Sequence, residues 1–97
     1  MPLNGKQRRY LRGLGHDLEP VVMLGKEGIT DGVVGALAEA LGTHELVKVK
    51  LGQSFPDDRH DGAARLAARS GAELVQVLGN TLLLYRPREE EPTIRLP

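Results

Sequence analysis

Apolar residues recur along this chain in two rhythms, one near 3.6 residues and one of two, and their order predicts the elements of the fold. Asn4 followed by Gln7 forms a capping-box start, and Gly15 closes the stretch, so residues 4–14 read as a helix. Its apolar side carries Tyr10, Leu11 and Leu14. The opposite arc carries Lys6, Arg8, Arg9 and Arg12. Residues 20–24, Pro-Val-Val-Met-Leu, form a short apolar run between a proline and a glycine, the pattern of a buried strand. Thr30 and Asp31 then open a second helix, with Ile29 placed to staple onto Val34. Val33, Val34, Leu37 and Leu41 make its apolar stripe, and Gly42 is expected to be its left-handed stop. Gly32 and Gly35 lie inside this helix at a cost of roughly 1 kcal/mol each, which implies a close-packing constraint there.

Residues 45–51 alternate with period two, setting Val47, Val49 and Leu51 on one face and Leu46, Lys48 and Lys50 on the other. Acids at Asp57, Asp58 and Asp61 suit the start of a third helix over 57–70, which carries Ala63, Leu66, Ala67 and Ser70 as a stripe and has Gly71 behind it. Two strand-like runs, 74–78 and 81–86, are joined by Gly79-Asn80, a two-residue hairpin link. Residues 87–97 mix proline and charge around Ile94 and Leu96 and read as a tail placed to add one short edge strand. The order α-β-α-β-α-β-β predicts an α/β single domain over residues 1–97, a mixed four-stranded sheet packed with helices.

Composition narrows the chemistry. The chain has no cysteine, which removes disulfides, thiolate zinc sites and cysteine nucleophiles. Phe55, Tyr10 and Tyr85 are its only aromatic residues, too few for a sheet that reads bases by stacking several of them. No run is long and apolar enough for a membrane span or a secretory signal, so a cytoplasmic protein without membrane partners is expected. His16, His44 and His60 share no metal-ligand spacing, and no nucleophile stands beside a base. No metal, cofactor, small-molecule substrate or enzymatic activity is therefore expected. Thirteen basic and thirteen acidic residues cancel, but residues 1–16 are basic without an acid and Glu89, Glu90 and Glu91 form an acidic run.

Two features point to a polyanion. Gly25-Lys26-Glu27-Gly28 falls where a strand ends and a helix is about to start, so its backbone N–H groups and the positive helix end form an anion cradle to which Lys26 adds a cation. The plain alternative is a turn that favours glycine, and Glu27 opposes phosphate unless its carboxylate points away. The first helix is the other feature. Its cations have no interleaved acid, and phosphates would offset their mutual repulsion. A solvated helix face is the plain alternative here too. A rival of a different class is a protein-interaction module that docks through Gly32, Gly35 and Ala36 or through an exposed strand edge.

Five segments together carry a family resemblance: Lys6-Gln7-Arg8 with Leu11 and Leu14; Leu18-Glu19-Pro20-Val21-Val22; Gly25-Lys26-Glu27-Gly28-Ile29-Thr30; His44-Glu45-Leu46-Val47-Lys48-Val49-Lys50; and Gly79-Asn80 through Tyr85-Arg86-Pro87. In this order and over nearly the whole chain, the sequence resembles the CRM domain (chloroplast RNA splicing and ribosome maturation) in its stand-alone bacterial YhbY-like form. The resemblance implies a fold like the C-terminal domain of translation initiation factor three with an added N-terminal helix. It implies as partner RNA, namely precursor large-subunit ribosomal RNA or a pre-ribosomal particle. The family's RNA surface, a GxxG loop with neighbouring cations, matches Gly25, Lys26 and Gly28 together with Lys6, Arg8, Arg9 and Arg12. Glu27 within the loop and the acidic tail depart from that pattern.

Overall fold

A computed structural model describes residues 2–97. Its elements are α1 (Gly5–Gly15), β1 (Pro20–Leu24), α2 (Asp31–His44), β2 (Leu46–Leu51), α3 (Arg59–Ser70), β3 (Glu73–Leu78) and β4 (Thr81–Tyr85). The strands form one sheet in the order β1-β2-β4-β3, with β1 parallel to β2 and the other two pairs antiparallel. Each helical crossover sets parallel strands, and β4 inserts between β2 and β3 through its tight link, where Gly79 takes φ 58°.

Alternation divides the apolar residues between two cores. On one face of the sheet, Leu37 and Leu41 of α2 and Ala63, Leu66 and Ala67 of α3 pack on Leu24, Val47, Val49, Leu51, Leu82 and Leu84. On the other, Leu3 and Leu11 pack on Leu46, Val75, Leu83 and Tyr85, with Ile94 and Leu96 of the tail beside them. The result is three layers, with α2 and α3 beneath the sheet and α1 and the tail above it. The tail is not an edge strand: its residues 86–97 carry no strand assignment.

The sequence reading also differs from the structure in α1 and α2. Tyr10 and Leu14 are 43% and 41% exposed, whereas Leu11 and Gly15 are buried. The contact strip is narrow because Gly15 lies directly against β4, where a Cβ would come within 2.7 Å of Leu83 Cδ2. Gly32 and Gly35 have no crowding neighbour, so close approach does not account for them. Gly42 does not stop α2, which continues to His44 and ends at Glu45 with φ 62°.

A left-handed conformation costs a non-glycine residue about 1–2 kcal/mol, and the environment of Glu45 shows what holds it there. The residue is fully buried. Its carboxylate accepts from the N–H groups of Arg88 (2.8 Å), Thr93 (2.7 Å) and Ile94 (3.0 Å) and from the Thr93 hydroxyl (2.7 Å). Its backbone N–H donates to Leu41 O and its carbonyl accepts from Arg86 N, each at 2.9 Å. One residue thus closes α2 and leads into β2 through its backbone and anchors the tail through its side chain. Nearby, Arg86 donates to Ser70 O at 2.8 Å and to Ala38 O at 2.9 Å, tying α3 to α2.

Burial alone would raise the Glu45 pKa, but the hydrogen bonds outweigh it and bring the carboxyl from 4.5 down to about 2. A depressed folded-state pKa contributes stability that is complete above the unfolded value and lost as pH falls through the folded one. The window therefore runs from about 4.5 to about 2, and a shift of this size corresponds to about 3 kcal/mol. Urea denaturation at a series of pH values should show the parent losing about 3 kcal/mol more than Glu45→Gln across that window. The variant should already be the less stable of the two at pH 7. Parallel pH profiles would contradict the assignment of this linkage to Glu45.

Candidate nucleic-acid interface

The loop at residues 25–28 leaves the C-terminal end of β1 and leads to the N-terminus of α2. Gly28 N–H donates to Gly25 O at 3.0 Å, closing a turn that places Lys26 and Glu27 at its exposed tip. Gly28 is buried and takes φ 71°, a region that disfavours any Cβ. Gly25 lacks both constraints: it is exposed, its φ is not positive, and the space around a Cβ would be open. Of the two glycines, only Gly28 therefore requires a special backbone conformation. Closure also engages the Gly28 N–H internally, while among the described residues the Lys26 and Glu27 N–H groups have no acceptor. Beyond the turn, Thr30 caps α2 through its hydroxyl, which accepts from Val33 N at 3.1 Å. Asp31 is paired with Arg69 at 2.6 Å.

The first-helix cations do not form one uniform solvent face. Lys6, Arg9 and Arg12 are exposed. Arg8 is partly buried, and its guanidinium donates to the Leu74 carbonyl of β3. Arg8 therefore helps to hold α1 on the sheet and is not a wholly solvated cation. Arg9 and Arg12 instead overlook a groove of about 470 Å³ between α1 and the sheet. His16 and Lys48 complete its basic rim, and its lining includes no carboxylate. Lys48 also steadies the rim, its Nζ donating to Leu18 O at 3.1 Å and His16 O at 3.4 Å.

Lys48 and Lys50 were absent from the sequence-based site. The signal was present in the alternation of residues 45–51, which put both lysines on the face opposite Val47, Val49 and Leu51. What the alternation could not show was that α1 covers only part of this face. Strand register sets Lys50 opposite Met23 of β1 on one side and Thr81 of β4 on the other. Thr81 lines the groove and Met23 lies two residues before Gly25, so Lys50 stands between the groove and the loop. Other arginines are occupied elsewhere: Arg65 pairs with Asp57 at 3.0 Å, and Arg88 donates to Thr43 O at 3.2 Å and Glu91 O at 2.9 Å. Among the described residues, no cluster of His, Asp and Glu is arranged to hold a metal ion.

The fold is shared with known proteins. The model of the CRS1 / YhbY (CRM) domain matches residues 3–86. The probable RNA-binding protein YqeI of Bacillus subtilis is 42% identical over 95 residues, covering 98% of this chain and 99% of that protein. An RNA-binding protein of Haemophilus influenzae is also 42% identical over 95 residues, covering 98% and 95% of the two chains. A Staphylococcus aureus protein described as a candidate RNA binder, known from a solution structure, superimposes with a TM-score of 0.84 at 38% identity, over 99% of this chain and all of that one. The chain belongs to the CRS1/YhbY (CRM) domain family. The names of these relatives denote RNA-binding proteins and not enzymes.

The two loop glycines should differ in stability tests. Gly28→Ala forces a Cβ into the left-handed region and should lower the unfolding free energy by about 1–2 kcal/mol. Gly25→Ala should change it by less than about 0.5 kcal/mol. Urea denaturation of both variants checks this, and the opposite ranking would contradict the turn geometry.

Proposed function

We propose that this chain is an RNA-binding protein of the cytoplasm that associates with precursor large-subunit ribosomal RNA during ribosome assembly. The observation that carries RNA binding is the acid-free basic groove beneath Arg9 and Arg12, continued by Lys50 toward the loop at residues 25–28. Such a surface gains affinity by releasing counterions from phosphates, and the mutual repulsion of its cations falls when a polyanion is bound. Lys6 and Lys26 extend the charged surface at its two ends. Arg8 contributes mainly by seating the helix. The free N–H groups of Lys26 and Glu27 are donors for a phosphate oxygen, with Lys26 as the mobile cation and Glu27 as a local opponent. The names of the relatives support RNA as the partner. The narrower assignment to precursor large-subunit RNA rests on the family resemblance and on a mode of binding governed by phosphates and RNA shape.

Charge reversal at Arg9→Glu with Arg12→Glu should weaken RNA binding at least tenfold. The slope of log K against log salt should become shallower by about 1.5 units, because two phosphate contacts are lost. Folding stability should stay within about 0.5 kcal/mol of the parent, since neither side chain packs in a core. Fluorescence anisotropy titrations at several salt concentrations provide the measurement, and an unchanged affinity and slope would remove this groove from the interface. Crosslinking in growing cells, followed by sequencing of the attached RNA, separates the narrower claim. Enrichment of large-subunit precursor sequences is expected, and their absence would refute the assembly role.

A further inference from the structure

The groove has a floor as well as a charged rim. Leu78 of β3 with Leu82 and Leu83 of β4 supply its apolar part, and Leu78 is 67% exposed. Gln76 and Thr81 lie on the same floor. An irregularity in the β3 register between Leu74 and Gln76 places Val75 in the core under α1 while Gln76 faces the groove beside it. Among the described residues, neither the Gln76 carboxamide nor the Thr81 hydroxyl makes a hydrogen bond. Together they offer donors and acceptors in one small area. On the α1 side, Gly13 lines the groove, and the space beyond its Cα is open.

Apolar floor, unengaged amide and hydroxyl, and cationic rim match the three parts of a nucleotide. A base has apolar faces and hydrogen-bonding edges, and its flanking phosphates are anionic. A volume of about 470 Å³ lies within the usual range for small-ligand pockets, about 300–1,000 Å³. The base edges of a continuous A-form helix cannot be reached by such a floor, whereas an extruded base can enter it. Building on the RNA-binding reading above, we propose that this groove receives the base of one unpaired nucleotide. The base lies against Leu78 and Leu83, its edge bonds to Gln76 and Thr81, and Arg9, Arg12 and Lys48 take the adjoining phosphates. Tyr10, Tyr85 and Phe55 do not line the groove, and among the described residues His16 is the one ring at its rim. Recognition rests on apolar contact and edge bonding.

The test compares a blunt, fully paired RNA duplex with the same duplex carrying one extruded nucleotide, each of the four bases in turn, and with an abasic residue at that position. Binding is followed by fluorescence anisotropy. At least one bulged duplex should bind about tenfold tighter than the paired one, and the abasic duplex should return to the paired value. Gln76→Met with Thr81→Val keeps size and strand propensity while removing the polar edges. This double variant should reduce the preference below about twofold. Equal affinity for paired and all bulged duplexes would overturn the base pocket while leaving RNA binding in place. A preference that survives the abasic residue would overturn it too, because it would report backbone bending. Failure to bind any of these RNAs would refute the RNA-binding reading and the pocket together.

Discussion

The buried Glu45 carboxylate is the interaction on which the upper layer depends. It sits where α2 turns into β2, and its four hydrogen bonds hold the chain at residues 88–94 against that junction. Ile94 and Leu96 are thereby kept beside Leu3, Leu11 and Tyr85, completing a core too small to exclude water by itself. A neutral side chain of the same shape would accept fewer of these donors, so the negative charge is integral to the fold. Burial, and then the charge of Glu45, push the Tyr85 hydroxyl above its ordinary value of 10.

That layer decides what remains open. Gly15 lies against Leu83, and Arg8 grips the β3 backbone, so α1 rests low on the sheet. The outer ends of the strands stay uncovered, with Met23, Lys50, Thr81 and Leu78 in one row across them. Cations divide accordingly. Arg69, Arg86 and Arg88 are engaged by backbone carbonyls or by acids of the protein. Arg9 and Arg12 are held by a helix whose packing leaves their side chains outside. A chain of zero formal net charge can therefore present one basic surface, because no acid lines the groove and Glu27 is the only one in the loop.

Local pattern made most of the fold legible. The Asn4 capping box, the Thr30 cap, the alternation of residues 45–51 and the Gly79-Asn80 link each depend on neighbours in sequence, and all appear in the structure. Elements resting on distant contacts were not legible. The hydrogen bonds of Glu45 come from residues more than forty positions away in sequence, so nothing nearby marked it as the end of α2 or showed the tail to be anchored. Likewise, Arg8 reads as a surface cation until β3 supplies the Leu74 carbonyl. The candidate site divides the same way. The loop and the α1 cations were visible as motifs, whereas Lys48, Lys50, Gln76 and Thr81 joined it only when strand order and helix placement were known.

The proposed RNA surface is the upper face of the sheet between α1 and the loop, with the α2 and α3 layer outside it. Backbone amide chemical shifts of isotope-labelled protein, followed during titration with RNA, test this directly. The expected changes cluster at residues 9–16, 25–28, 48–50 and 76–81, with the exposed surfaces of α2 and α3 unaffected. Changes centred on Gly35, Ala36 and Glu39 of α2, with the groove residues unmoved, would contradict it.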